Sequence, residues 1–586
     1  MLDIPASPLK SALVMVLALL AGAWPAPAGA GPVVDVRVLI DVSGSMKQSD
    51  PKGLRGPALR LLTELLPPGS RAGVWTFGQY VNMQVPLAVV DKAWKEKARA
   101  ESRRIHSHGL FTNIEDALRR ATWDWRRPDP RYRRSLILLS DGKVDIARDA
   151  SRNAASRGRI ENEILPRLKR AGVALHTIAL SDEADHQLMQ RLAVATDGWY
   201  QRARTSAGLQ RVFLHLFEKA ARKPSLPLTD NRFKVDPSVK DITVIAFHRP
   251  GAPATRLITP SGEAHSKAKK SANVSWFSDV GVDVVTVNEP APGQWAIDAA
   301  LDPDNRVLVV TDLRLVVDDL PNNLLAGESL TLKARLQQRQ GPVTARDLLQ
   351  RVRMELAAAG NGGDPLPLRD DGRAPDEARG DGVYTLLWSS NAEEGRRELV
   401  VRAVGPTFER QYRQTLRVIG RPLSATVDKD SLAAKQQFRL VLTPREDLVD
   451  YRIEDLRITV PASPNTPYPV LRTAEGWEAR LDFALAGRGI GIRVRGKKPS
   501  GAAFSASWPL VLPPVEIPPA APPATEEIAA VTEADVAEEA LRWPLVAALV
   551  VALNCVLGLL TVGGVLLWLR RRRHRVSAAE SELVYE

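Results

Sequence analysis

Cysteine is all but missing: Cys555 stands alone among 586 residues, so no intramolecular disulfide can form. A secreted eukaryotic chain of this length ordinarily carries several, which turns the expectation toward a bacterial envelope protein. Missing too are a nucleophile elbow, a P-loop, an HExxH pair and a dinucleotide fingerprint. No histidine is placed in the sequence to act as base for a serine nucleophile, so the expectation is a protein that is not an enzyme. Net charge is +12, but the excess is spread along the chain, and no nucleic-acid-binding motif accompanies it. No nucleic-acid partner is expected. The Arg-rich stretches 99–104 and 119–134 read as solvated surface near loops where an acidic partner could be steered.

What is present is a globular composition, 44% hydrophobic and 25% charged, in a chain long enough for several domains. Two apolar segments set the expected topology. Ser11–Ala23 follows Lys10, is too short to span a bilayer, and precedes small residues at Ala28 and Ala30, so residues 1–30 read as a cleaved signal peptide. Trp543–Leu569 is long enough to cross with some tilt, and Arg570–Arg573 and Arg575 follow it. The positive-inside rule then places the tail, 570–586, in the cytoplasm. The expected location is the inner membrane, with a single pass and a periplasmic N-terminal ectodomain. Ala548, Ala552 and Asn554 within the span are the residues a partner membrane protein would meet.

From 31 to 222 apolar strand-like runs alternate with helical spacing, as in a doubly wound α/β fold. Strands are expected at Ala72–Phe77, Tyr80–Val85, Ser135–Ser140 and Ala174–Leu180. Helices are expected at Leu54–Leu66, Asp91–Ile105, Asn113–Thr122, Ile160–Arg170, Ala184–Ala195 and Ser206–Lys219. Beyond Pro224 helical periodicity disappears, and short alternating runs bounded by Gly, Pro, Asn and Asp predict β-sandwich modules at 224–312, 313–420 and 421–512. A Pro/Ala/Glu-rich linker, 513–541, leads to the membrane segment.

The sharpest signal is VVDVRVLIDVSGSM, residues 33–46. Its β-branched run reads as a buried strand of a parallel sheet, and in such sheets ligands sit beyond the carboxyl ends of the strands. There Asp41, Ser43 and Ser45 offer three hard oxygens to one point, as an octahedral divalent cation requires. Thr112-Asn113 in HGLFTNIEDAL and Ser140-Asp141-Gly142 in LILLSDGKVD follow at later strand ends.

These three loops together resemble the metal-ion-dependent adhesion site of the von Willebrand factor type A family. The resemblance covers about a third of the chain and implies a Rossmann-like α/β fold. It implies that the hydroxyls of Ser43, Ser45 and Thr112 ligate the ion, with Asp41 and Asp141 holding it directly or through water. Mg²⁺ is the first expected occupant, Mn²⁺ and Ca²⁺ are alternatives, and the oxygen-only set argues against zinc. A site of this kind takes a carboxylate from a protein partner in place of a water.

Weaker signals are His106 and His108, which lack a third ligand, and RDDGRAPDEARGDGVYT, residues 369–385. The latter resembles a segment of bacterial extracellular immunoglobulin-like modules. Its Asp370, Asp371, Asp376 and Asp381 suit tight turns, with calcium as the alternative. The expected function is metal-dependent protein binding, in adhesion or assembly at the envelope. The alternatives are a membrane-anchored sensor and a cell-wall or carbohydrate binder.

Overall fold

The computed structural model describes residues 32–515, apart from 142, 222–223, 250, 339–340, 359–363, 391–393, 449 and 461–462. The expected leader, the stalk from 516, the 543–569 span and the tail lie outside the described residues. Among the described residues no helix is long and apolar enough to cross a membrane.

Six strands form the first sheet in the order β3-β2-β1-β4-β5-β6: β1 Val33–Asp41, β2 Arg71–Phe77, β3 Val81–Val89, β4 Tyr132–Ser140, β5 Ala174–Ala179 and β6 Tyr200–Arg202. β1 lies at the centre, parallel to both β2 and β4, and only β3 runs antiparallel. Burial on both faces explains the apolar run of β1. The two charges within it are also buried. Arg37 pairs with Asp35 at 3.1 Å, donates to Ala121 O at 2.6 Å and stacks on Trp125 at 3.9 Å. A fully desolvated guanidinium is tolerable only with partners of this kind.

Helices cover both faces: α1 Arg55–Leu65, α2 Lys92–Ser102, α3 Ile114–Ala121, α4 Ala150–Arg159, α5 Leu165–Arg170, α6 His186–Ala195 and α7 Ser206–Ala221. Asp91, Asn113 and Asp185 cap α2, α3 and α6 by accepting backbone N–H groups. Two elements depart from the sequence expectation. α4, continued by the π turn Ile160–Ile164, is polar nearly throughout and buries only Ser156, so no apolar period marks it. β6 is three residues long and lies at the sheet edge.

Pairs of β-sheets follow. The first pair is β7 Arg232–Val235, β9 Arg256–Ile258, β10 Ala264–His265 and β13 Gly293–Asp298 against β8 Val239–Phe247, β11 Val274–Asp279, β12 Val282–Asn288 and β14 Arg306–Thr311. Ile242, Val244 and Ala246 point into the core between these sheets, with Phe233 and Trp295 opposite. The alternate residues Ile245 and Phe247, with Val282 and Val284, instead join Leu209, Phe213 and Phe217 of α7. The β11-β12-β8-β14 sheet is thus buried on both faces, one of them against the helical layer. A second pair of sheets spans 314–418 and a third spans 423–511.

Buried ion pairs tie these parts together. Arg306 on β14 reaches Glu218 of α7 at 2.8 Å and Glu398 of the second pair at 3.1 Å. Arg410 of the second pair holds Asp236, beside β7, at 2.6 Å. Asp197, after α6, accepts the backbone N–H groups of Asn322 and Asn323 at 3.1 and 3.2 Å. The described residues accordingly belong to one compact unit ending at Val515.

Candidate metal centre

Asp41 ends β1 at the middle of the sheet, and Val42 N donates to Phe77 O at 2.8 Å, which fixes where the chain leaves the strand. Asp41 Oδ1 accepts from Ser43 N at 2.8 Å, folding the Asp-x-Ser-x-Ser loop back over the strand tip. The hydroxyls of Ser43 and Ser45 lie 3.0 Å apart. Ser45 precedes the single helical turn Met46–Ser49, where a serine commonly caps, yet its side chain makes no capping bond. Its oxygen faces Ser43 instead.

The second loop is seated on the first by glycine. Gly109 N donates to Val42 O at 2.8 Å, and a Cβ on Gly109 would lie 2.8 Å from that same oxygen, closer than a side chain tolerates. Phe111 then turns through a left-handed φ of 57°. Thr112 lands, buried, between the other two loops. It exchanges backbone bonds with Asp145 of the third loop, at 2.5 Å from Thr112 N and 3.2 Å from Asp145 N. Asn153 of α4 holds that third loop by accepting from Ile146 N and Ala147 N and donating to Asp145 Oδ1 at 3.2 Å.

The third loop starts at Ser140, whose hydroxyl donates to Asp41 Oδ2 at 2.5 Å. Asp141 follows and accepts from Ser49 Oγ at 3.0 Å. All five expected residues, Asp41, Ser43, Ser45, Thr112 and Asp141, therefore stand on three loops that are bonded to one another. Gly142 lies outside the described residues. Ser49, Ser140 and Asn153 are supporting residues that the loop motifs alone did not single out. Ser140 lay inside a recognised loop, whereas Ser49 and Asn153 carried no sequence signal.

Electrostatics make the cluster unusual. Asp41 is 0% exposed, and its carboxyl is pushed up to about 6, first by burial and then by the charge of Asp141, against the bonds from Ser140 and Ser43. Among the described residues neither carboxylate has an ion-pair partner. Arg55, which touches the Asp41 backbone, is committed elsewhere: it pairs with Asp50 at 2.6 Å and donates to the Asp41 backbone carbonyl and to Ser107 Oγ. Two negative groups beside the hydroxyls of Ser43 and Ser45, with Thr112 buried on the adjoining loop and no cation paired to either carboxylate among the described residues, form a donor set that fits a hard divalent ion.

The model of the von Willebrand factor type A family matches residues 35–213. That segment is a von Willebrand factor type A domain. The type A domain thus runs from β1 into α7. A second family, described as hemicentin galactose-binding domain-like, matches residues 214–310, the end of α7 through β14. Comparison with curated proteins gives no match.

Among solved structures, a von Willebrand factor type A protein from Catenulispora acidiphila is 16% identical, covering 54% of this chain and 64% of its own, with a TM-score of 0.27. Proximal thread matrix protein 1 from the mussel byssus, with a zinc-occupied MIDAS motif, is 15% identical, covering 36% and 51%, with a TM-score of 0.26. BatB from Bacteroides thetaiotaomicron is 16% identical, covering 32% and 99%, with a TM-score of 0.25. The chain spans less than two thirds of the first two proteins.

The other sequence signals resolve differently. His106 and His108 are exposed, with ring centroids 5.5 Å apart, and His106 Nδ1 accepts from His108 N at 3.3 Å. His176 is buried in β5 and accepts from Trp199 N at 3.1 Å. Asp370, Asp376 and Asp381 converge, but their carboxylates accept backbone N–H groups of Gly380, Gly382, Gly372 and Val383, which is turn chemistry.

Proposed function

We propose that the type A domain binds a divalent cation through Asp41, Ser43, Ser45, Thr112 and Asp141, and through it an acidic residue of a protein partner, in adhesion or assembly. The observation that carries this reading is the buried Asp41 carboxyl beside Asp141 with no counter-charge among the described residues, next to a Ser45 hydroxyl that makes no capping bond. The cation would supply Lewis acidity toward an incoming carboxylate. The chain's own residues do the rest. Ser140 and Ser49 orient the two carboxylates, Gly109 lets the loops close, and Asn153 holds the third loop at its backbone.

Mg²⁺ is the proposed ion, with Mn²⁺ or Ca²⁺ as alternatives. The zinc-occupied motif of the mussel protein makes Zn²⁺ a necessary comparison. The chain is read as a non-enzymatic bacterial envelope protein, anchored in the inner membrane by 543–569, with the modules 224–312, 313–420 and 421–512 in the ectodomain and the linker 513–541 leading to the span. The alternative is a membrane-anchored sensor that signals through a partner membrane protein, and exchange of the 543–569 span for an unrelated one distinguishes it from a simple anchor.

Calorimetric titration of the four ions into the full chain, with Asp41→Ala and Asp141→Ala beside it, tests the site. Capture from envelope extract in Mg²⁺ and in EDTA tests the partner. Binding that survives both substitutions and EDTA refutes the proposal. A carbohydrate reading of 224–312 draws support from the match over 214–310 and is tested by glycan binding that is indifferent to EDTA.

A further inference from the structure

A cavity of about 610 Å³ opens between the helical turn after Ser45 and the first pair of sheets. One wall carries Ser49, Lys52 and Arg204 of the type A domain, and the other carries Arg249, Val280 and Leu301. Ser49 is the residue that donates to Asp141, so the cavity begins one side chain from the proposed cation site.

Its charge is one-sided. Lys52, Arg204, Arg211 and Arg249 line it, and Asp302 is the only carboxylate among the lining residues. Arg211 is neutralised by Asp302 at 2.7 Å, and Arg204 reaches Asp182, outside the cavity, at 2.5 Å. Lys52 and Arg249 are exposed and have no ion pair among the described residues. Val280 and Leu301, 60% and 70% exposed, give the rim large apolar side chains turned to solvent. At the floor Gln210 is buried and donates through Nε2 to Val280 O at 2.9 Å, while its Oε1 has no partner among the described residues. A backbone N–H of an extended segment is the kind of donor this oxygen lacks.

We infer that this cavity receives an acidic stretch of the same protein partner whose carboxylate the cation site takes, with Lys52 and Arg249 reading the charges that flank that carboxylate. The inference rests on the metal-dependent reading and deepens it. The cation selects one acidic residue, and the cavity selects its neighbours. Because the two walls come from different segments, 35–213 and 214–310, the recognition surface belongs to the joined pair and not to the type A fold alone.

The test uses the full chain and two labelled synthetic peptides of equal length. Each has one central Asp, flanked in one peptide by further Asp and Glu and in the other by Ser and Gly. Fluorescence anisotropy is read in Mg²⁺ and in EDTA. The expected result is Mg²⁺-dependent binding of both, about tenfold tighter for the acidic peptide, with that advantage lost in Lys52→Glu/Arg249→Glu and at high salt. The double variant should bind the neutral-flanked peptide as the parent does, which also shows that it is folded. Equal Mg²⁺-dependent affinities in the parent overturn the inference while leaving the cation site standing. Absence of Mg²⁺-dependent binding to either peptide overturns both. An acidic-peptide preference that persists in the double variant overturns the assignment of these two residues.

Discussion

Replacing Asp41 with Asn should stabilise the metal-free protein at neutral pH while destroying its response to Mg²⁺. The carboxyl of Asp41 moves from 3.8 to about 6 on folding, because burial and the charge of Asp141 disfavour its ionised form. The folded state therefore holds a proton that the unfolded chain has released between those two values. Stability falls as pH rises through that window and stays low above it. At about 1.4 kcal/mol per pH unit the penalty at pH 7 is on the order of 3 kcal/mol. Asparagine is close in size and still accepts from Ser43 N or Ser140 Oγ, so it removes the charge while keeping most of the bonding.

A bound divalent ion removes the same penalty by pairing both carboxylates, and at a hundredfold excess over its Kd it adds about 2.7 kcal/mol. Thermal unfolding of parent and Asp41→Asn at pH 7 and pH 5, each in EDTA and in Mg²⁺, reads all of this. The variant in EDTA should melt several degrees above the parent at pH 7, with about half that difference at pH 5. Mg²⁺ should raise only the parent. A variant that melts lower than the parent in EDTA at pH 7, or that gains as much from Mg²⁺, would refute the reasoning.

Other outcomes follow from the same geometry. Gly109→Ala forces a Cβ to 2.8 Å from Val42 O, so Mg²⁺ affinity by calorimetry should drop about ten- to a hundredfold with circular dichroism unchanged. Burial holds the His176 imidazole down at about 3. The unfolded chain then binds the extra proton between about 6.5 and 3, and stability should fall with pH in that window, by about 2 kcal/mol at pH 5, with the slope flattened in His176→Asn urea titrations. Arg410→Met leaves Asp236 buried without its cation, costing about 3–5 kcal/mol in urea unfolding, and Asp236→Asn in the same chain should restore part of it. Ser49→Ala removes the donor to Asp141 and should weaken Mg²⁺ about tenfold while leaving the melting temperature in EDTA within a degree or two.

Much of the type A domain was legible because its signals are local. A buried parallel strand must be apolar on both sides, so Val33–Ile40 announced itself despite Asp35 and Arg37. Polar residues just beyond such strand ends have few roles other than binding, so Asp41 and Asp141 could be picked out before any contact was known, whereas Thr112 lies in the loop between α2 and α3 and was marked only by the family resemblance. α4 was not legible, since a helix that buries one serine has no periodic face to display. Nor was Asn153, which matters only because that unmarked helix lies beside the third loop.

The sequence by itself determined the strand–helix alternation, the change to short β runs after Pro224 and the identity of the five oxygen-bearing residues, since each depends on residues near one another in the chain. Only the tertiary structure decided that Asp41 is sealed from water, that Arg55 is spent on Asp50 and a carbonyl so that neither carboxylate has a cation among the described residues, and that one sheet packs its second face on α7. The same packing leaves a basic cavity beside Asp141. Burial and charge balance are sums over groups that meet in space, and the partners of Asp41 lie up to 100 residues from it along the chain.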